Sequence, residues 1–466
     1  MASTNKFLEL YEPLDNAQKR RFARYLRTDY FAHPPELSDA HRHLGKLDNK
    51  PEFYRMVLGA DVPFREVRLR RILSDLTQAL FDFLALEHFR TDPAAPVLRA
   101  FECIDQPEHE KHRRTLARRL ESTLERSPLR DAAHEWTRYR FATLRDFHHR
   151  RAQPDRSELT HLHHADRALD AFYLAEKLRH YCESAALTRI RADRVPVRLH
   201  DFHLELAARF QDHPAVRAYT LLARMNRAPD HLPYFREFRA FFREDIHRFP
   251  RPEQTKLFVH ALNYCIDTKV NAGRPEFFHE IFDLYRDALA TEMLLEHQAL
   301  PPAHYKNIIT VGIRVDELDW TERFIQDWTD RLPAAHRADA EEYNLAKIAY
   351  QRGDYPRTIE HLRAVTDRND RYALGGRLLL LKAYYQLEET RALDSLLHSF
   401  RLYLRRHPRI SREVREQYYL VLRFFKKLAR LNQYDRGEID TLRAEIEAAD
   451  RLPERAWFRE VVGSLG

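Results

Sequence analysis

The chain has 466 residues with 10 Gly, 65 Arg against 13 Lys, 26 His and 3 Cys, and a formal net charge of +7. Glycine so far below its usual share of roughly 7% leaves too few residues for phosphate-binding loops and multi-stranded sheets, which excludes an ordinary nucleotide-binding α/β enzyme. A hydrophobic fraction of 44% with 28 Phe and 22 Tyr fills the cores of two or three domains and excludes a disordered chain, while interleaved acidic residues exclude a histone-like polycation.

In chain order, Phe7, Leu8 and Leu10 open a first helix, Phe22, Tyr25 and Leu26 belong to a second, and Pro34-Pro35 breaks the pattern. After a turn at Gly59 to Pro63, apolar residues at Leu69, Ile72, Leu73, Leu76, Leu80, Phe83 and Leu84 repeat at the helical period and predict an amphipathic helix over about 64–90. Arg68, Arg70, Arg71, Asp75 and Asp82 form its other face. Residues 1–91 therefore form an N-terminal helical subdomain. Residues 92–300 are an irregular helical-repeat array, punctuated by Pro107, Pro128, Pro154, Pro196, Pro214, Pro229, Pro250 and Pro275. Within it, Leu262-Asn263-Tyr264, Gly273 and then Phe277, Phe278, Ile281, Phe282 and Tyr285 mark a degenerate helix pair.

The clearest repeat follows. Asn344-Leu345-Ala346, Ala349-Tyr350, Gly353-Asp354-Tyr355, Ile359 and Leu362 resemble a tetratricopeptide repeat, although Thr358 stands where that motif prefers Ala and its terminal Pro is missing. Asp319-Trp320 lies 35 residues before Asp354-Tyr355, and Ala383-Tyr384-Tyr385 about 35 after Ala349-Tyr350. Residues 301–408 are thus read as tetratricopeptide-like repeats, and 409–466 as a capping helix pair in which Val414, Tyr418, Val421, Phe425 and Leu428 form the apolar stripe. The expected fold class is all-α, a helical-hairpin solenoid between an N-terminal helical subdomain and a C-terminal cap.

Arg21-Phe22-Ala23-Arg24-Tyr25-Leu26 leading to Asp29-Tyr30-Phe31, Leu73-Ser74-Asp75-Leu76, and Leu452-Pro453-Glu454-Arg455-Ala456-Trp457 together resemble an uncharacterised family of long all-helical bacterial proteins with tetratricopeptide-like repeats in their C-terminal part. The resemblance implies a fold and carries no chemistry.

His161 and His164 have the i, i+3 spacing of two helical metal ligands, with His163 and Asp166 nearby, but no third ligand follows at matching spacing. No metal or other cofactor is expected. Cys103, Cys182 and Cys265 form no Cys-x-x-Cys pair, and His180 points away from Cys182 on a helix, so these are read as packed, reduced thiols. Glu341-Glu342 and Glu388-Glu389 lie in surface-like contexts. No enzyme is expected. The first 30 residues lack the continuous apolar core of a secretory leader, and no apolar run approaches the roughly 20 residues of a membrane span. A cytoplasmic protein without membrane contact is the expectation.

An adaptor or scaffold whose solenoid groove holds a protein segment is the leading functional expectation. By resemblance to repeat positions that commonly face a ligand, the groove candidates are Asn307, Arg314, Asn344, Lys347, Gln351 and Lys382. The alternative is an RNA- or DNA-binding protein using Arg-rich faces: Arg65, Arg68, Arg70 and Arg71; Lys111, Arg113, Arg114, Arg118 and Arg119; and Arg401, Arg405, Arg406, Arg409 and Arg412, with Tyr403 placed to stack on a base. The Arg excess itself follows from genomic base composition as readily as from phosphate recognition.

Overall fold

A computed structural model describes residues 5–152, 159–190, 197–334, 337–365, 370–407 and 410–465. The expected breaks at Pro154 and Pro196, the repeat boundary at 408 and Arg409 lie outside the described residues. Among the described residues there are 23 α-helices and no strand. The chain divides into two compact units, Met1–Arg179 with Leu199–Arg217, and His180–Arg198 with Ala218–Gly466.

In chain order the helices are α1 Lys6–Tyr11, α2 Asn16–Tyr25, α3 Pro35–Arg42, α4 Lys50–Leu58, α5 Glu66–Thr91, α6 Ala94–Cys103, α7 Glu110–Arg126, α8 Ala132–Ala152, α9 Thr160–Ile190, α10 Asp201–Ala207 and α11 Pro214–Arg227. There follow α12 Leu232–Asp245, α13 Arg251–Cys265, α14 Phe277–Ala290, α15 Pro302–Arg314, α16 Leu318–Trp328, α17 Arg337–Gln351 and α18 Tyr355–Ala364. The last five are α19 Asp370–Gln386, α20 Thr390–Arg406, α21 Arg412–Leu428, α22 Arg436–Ala448 and α23 Arg455–Ser464.

The first unit starts where local chemistry dictates. Asp15 accepts from the Gln18 amide while the Gln18 side chain accepts from the Asp15 amide, a capping box that satisfies two otherwise orphaned donors of α2. Helix α5 buries Leu69, Ile72, Leu76, Leu80 and Phe83 of the expected stripe together with Ala79, leaves Leu73 and Leu84 partly buried at its edge, and packs them with Phe7, Phe22, Phe53 and Tyr54. A second cluster joins α6, α7 and α8 through Phe101, Leu120 and Phe141.

In the second unit each helix from α13 to α20 packs on its successor, and α17 also touches α15 and α19, its neighbours two helices away. Gly353 closes the turn between α17 and α18 at φ +78°, a left-handed conformation that a Cβ would strain, and Asp354 caps α18 by accepting from the Arg357 amide. Ala346 is fully buried against Leu362 and Leu379, and the Tyr350 and Tyr355 rings meet 5.4 Å apart. Thr358, where an Ala would be usual, is also fully buried, with its hydroxyl donating to the Asp354 carbonyl. Trp320 stacks on Phe324 at 5.5 Å and meets Phe282 edge-on at 4.8 Å.

Three helices, rather than the expected pair, follow residue 409, because Asp435 accepts from the Gly437 and Glu438 amides and starts α22 as a separate element. Val421, Leu422, Phe424, Phe425 and Leu428 of α21 are buried with Trp457, Phe458, Val461 and Val462 of α23.

Candidate functional site

Helices α15, α17 and α19 carry the residues expected to face a groove, and the structure separates them into two kinds. Asn344 is 3% exposed, and its amide donates to the Ala340 carbonyl of its own helix at 2.7 Å. It is a packing residue, held inside because helix α17 turns it away from solvent. Gln351 is exposed. Asn307, also exposed, bonds the Tyr285 hydroxyl, and the Arg314 guanidinium lies over the Phe278 ring at 5.3 Å.

Lys347 and Lys382 form the centre of the site. Lys382 is 9% exposed; its Nζ donates to the Glu454 carboxylate and lies 5.4 Å from the Trp457 ring and 5.9 Å from the Tyr350 ring. The Trp457 indole N–H in turn donates to the Tyr350 hydroxyl at 2.8 Å. Lys382 is thus compensated. Lys347 sits on α17 four residues after Tyr343 and three before Tyr350, so these side chains share a face. It is half-buried and has no carboxylate within ion-pair distance among the described residues. Burial pushes its ammonium down to about 8, Lys306 pushes the same way, and Glu454 opposes both. Burial raises the Tyr343 hydroxyl strongly and takes Tyr350 up to about 12, so both stay protonated as donors. Lys306 did not stand out in the sequence, and no local signal there marks it. An uncompensated ammonium beside phenol donors suits a carboxylate or another small anionic group.

The Arg-rich faces divide similarly. Arg68 pairs with Glu36 at 2.7 Å, Arg70 with Glu66 at 3.2 Å and Arg71 with Asp75 at 3.9 Å, while Arg65 is exposed ahead of α5. Arg113, expected on a basic surface, is 7% exposed and donates to the Ile104 and Gln106 carbonyls, a structural role. Arg401, Arg405 and Arg406 are exposed, with no ion pair among the described residues.

Among the described residues no group of three or more His, Cys, Asp or Glu is placed to hold a metal ion. Cys182 and Cys265 are fully buried, and burial raises both thiols, the direction opposite to activation. Burial and the neighbouring Glu342 raise the Glu341 carboxyl, and Glu342 itself is bonded to His361 Nδ1 at 2.8 Å. Among the described residues no helix is long and apolar enough to cross a membrane. Comparison of the chain with protein-family models, with curated proteins and with solved structures gives no match.

Proposed function

We propose that the protein is a non-catalytic adaptor or scaffold whose second unit stacks tetratricopeptide-like helix pairs and holds a segment of a partner protein along α15, α17 and α19. The successive packing of α13 to α21, with the added contacts of α17 to α15 and α19, supports the solenoid reading. The observation that carries the functional reading is Lys347. A half-buried ammonium without a carboxylate partner is costly in a folded protein unless an occupant supplies the missing anion. An acidic side chain or terminal carboxylate of the partner, received by Lys347 with Lys306, meets that need, with Gln351 one turn further along α17.

A photo-crosslinking residue at Gln351 tests this reading. The expected product is a covalent adduct with a protein, persisting after nuclease and lost in Lys347→Glu. Adducts with nucleic acid alone overturn it.

The alternative, RNA or DNA binding, draws on Arg401, Arg405 and Arg406, whose guanidiniums are exposed and unpaired among the described residues. The ion pairs of Arg68, Arg70 and Arg71 make the N-terminal basic face the weaker candidate, since a phosphate contact at each of them competes with a carboxylate already in place.

A further inference from the structure

Within the first unit, helices α7, α8 and α9 and the α7–α8 connection line a half-open cavity of about 320 Å³, near the lower end of the range for small-ligand sites. Its wall carries Arg130, Arg138, Arg145, His134, His161 and His164. This concentration of nitrogen donors is unrelated to the groove of the second unit.

Two of these residues are set apart by their partners. His134 is only 9% exposed, yet its imidazole has no hydrogen-bond partner among the described residues; Asp131 engages only its backbone amide, at 3.0 Å. Burial holds the ring down to about 4, with Arg130, Arg138 and His213 pushing the same way and Glu135 opposing, so at neutral pH it offers one N–H donor and one acceptor to the cavity. Arg130 is fixed by backbone carbonyls: it donates to Ser127, to Leu129 at 2.6 Å and to Glu125 at 3.2 Å. Its guanidinium is therefore oriented without charge neutralisation.

The other two arginines are compensated. Arg145 pairs with Glu121, and Arg138 with Glu135, whose carboxylate also faces His213 Nδ1 at 3.4 Å. Burial alone would raise Glu135, but the His213 bond and the Arg138, His213 and His134 charges outweigh it and hold the carboxyl below its ordinary range. Glu121 and Glu125 also line the cavity. Glu121, Glu125 and Glu135 match the three guanidiniums in number, but Arg130 alone of the three has no carboxylate within ion-pair distance among the described residues, and it stands on the same wall as the His134 imidazole. Carboxylates on the same wall disfavour a long polyanion, and a single guanidinium outside any ion pair suits one compact oxyanion.

We propose that this cavity binds a small oxyanion, a phosphate group either free or carried as a monoester on a compact organic body, with Arg130 as its charge partner and His134 as its hydrogen-bond partner. His161 and His164 of helix α9 complete the wall. They act as hydrogen-bonding groups here and not as metal ligands.

The test uses the full chain, with inorganic phosphate and glycerol phosphate as probes against chloride at equal ionic strength. Titration calorimetry and the unfolding midpoint should report saturable binding of at least one probe, since a ligand selective for the folded state raises the midpoint with concentration. Arg130→Gln should weaken it at least tenfold, whereas Arg90→Gln, at an exposed site outside the cavity, should leave it unchanged. Tighter binding of inorganic phosphate identifies the free ion, and tighter binding of glycerol phosphate the monoester. Because Arg130→Gln also removes three carbonyl contacts, a second measurement uses the unaltered protein. The same probes should slow diethyl pyrocarbonate modification of His134 several-fold and leave the exposed His163 unaffected. Binding no stronger than that of chloride, equal affinity in Arg130→Gln, or unprotected His134 overturns the proposal.

Discussion

Trp457 donates its indole N–H to the Tyr350 hydroxyl at 2.8 Å across 107 residues of chain, tying α23 to α17. The same two rings flank the Lys382 ammonium, so one polar contact joins the C-terminal helix to the wall of the proposed groove. Trp457 is 8% exposed, and an indole N–H stranded there has little water to replace its partner.

Tyr350→Phe should therefore destabilise the second unit by about 1–2 kcal/mol, although the ring stays in place. Trp457→Phe should cost more, because it also removes buried area. A double-mutant cycle read by urea unfolding should show a coupling of about 0.5–1.5 kcal/mol. Strict additivity would mean that the bond contributes nothing.

Gly312 on α15 and Thr321 on α16 touch so closely that a Cβ at Gly312 would lie 2.1 Å from the Thr321 hydroxyl oxygen. Thr321 is fully buried, its hydroxyl donating to the Glu317 carbonyl, and it has no room to retreat. Gly312→Ala should cost about 1–3 kcal/mol by overpacking. Adding Thr321→Ala should restore most of that loss; a Gly312→Ala protein with an unchanged midpoint would falsify the close approach.

What the sequence made legible was short-range or periodic. The α5 stripe declares itself by its period, and Gly353 with Asp354 and Tyr355 declares a turn and a cap within three positions. Ala346 was recognisable as a contact between paired helices because a small residue there matches the repeat. The Gly312 contact was not legible, since its partner is set by how α15 crosses α16 and not by spacing along either helix. Lys382 and Glu454 lie 72 residues apart, and nothing local pairs them. Lys347 and Asn344 were read as equivalent, yet three residues on one helix separate a half-buried unpaired cation from an internal amide. His134 gave no signal at all, because the absence of a partner is a property of the folded wall around it.

Titration of Lys347 gives a prediction with a definite sign. Its ammonium moves from an ordinary value near 10.5 to about 8 in the folded chain. Below pH 8 both states are protonated, and folding bears the whole cost of enclosing the charge. Between pH 8 and 10.5 the unfolded chain binds a proton that the folded chain does not, so stability rises with pH. Lys347→Met should raise stability at pH 7 by about 1–3 kcal/mol, the lower end reflecting screening at a half-buried amine, and should flatten the rise toward pH 10. Urea unfolding at pH 7 and pH 9.5 checks both. Equal pH slopes in the two proteins would show an ordinary solvated lysine.

Salt separates the two functional readings. Each phosphate neutralised on a duplex releases condensed counterions, so the logarithm of affinity falls with the logarithm of salt at a slope of about −0.9 per contact. If Arg401, Arg405 and Arg406 bind nucleic acid, reversing all three to Glu should abolish the complex and its steep salt dependence together. A partner segment held on α15, α17 and α19 combines apolar contact with a single enclosed charge at Lys347, and bulk ions screen such a site far less. The expected outcome is that duplex and single-stranded probes bind weakly, without sequence preference, and are released near ~0.15 M salt. The protein adduct at Gln351 should survive both that salt and nuclease, and it should be unaffected by the triple reversal while Lys347→Glu removes it. A tight, sequence-selective complex with RNA or DNA at that ionic strength, lost on reversal of the three arginines, would instead assign the function to α20.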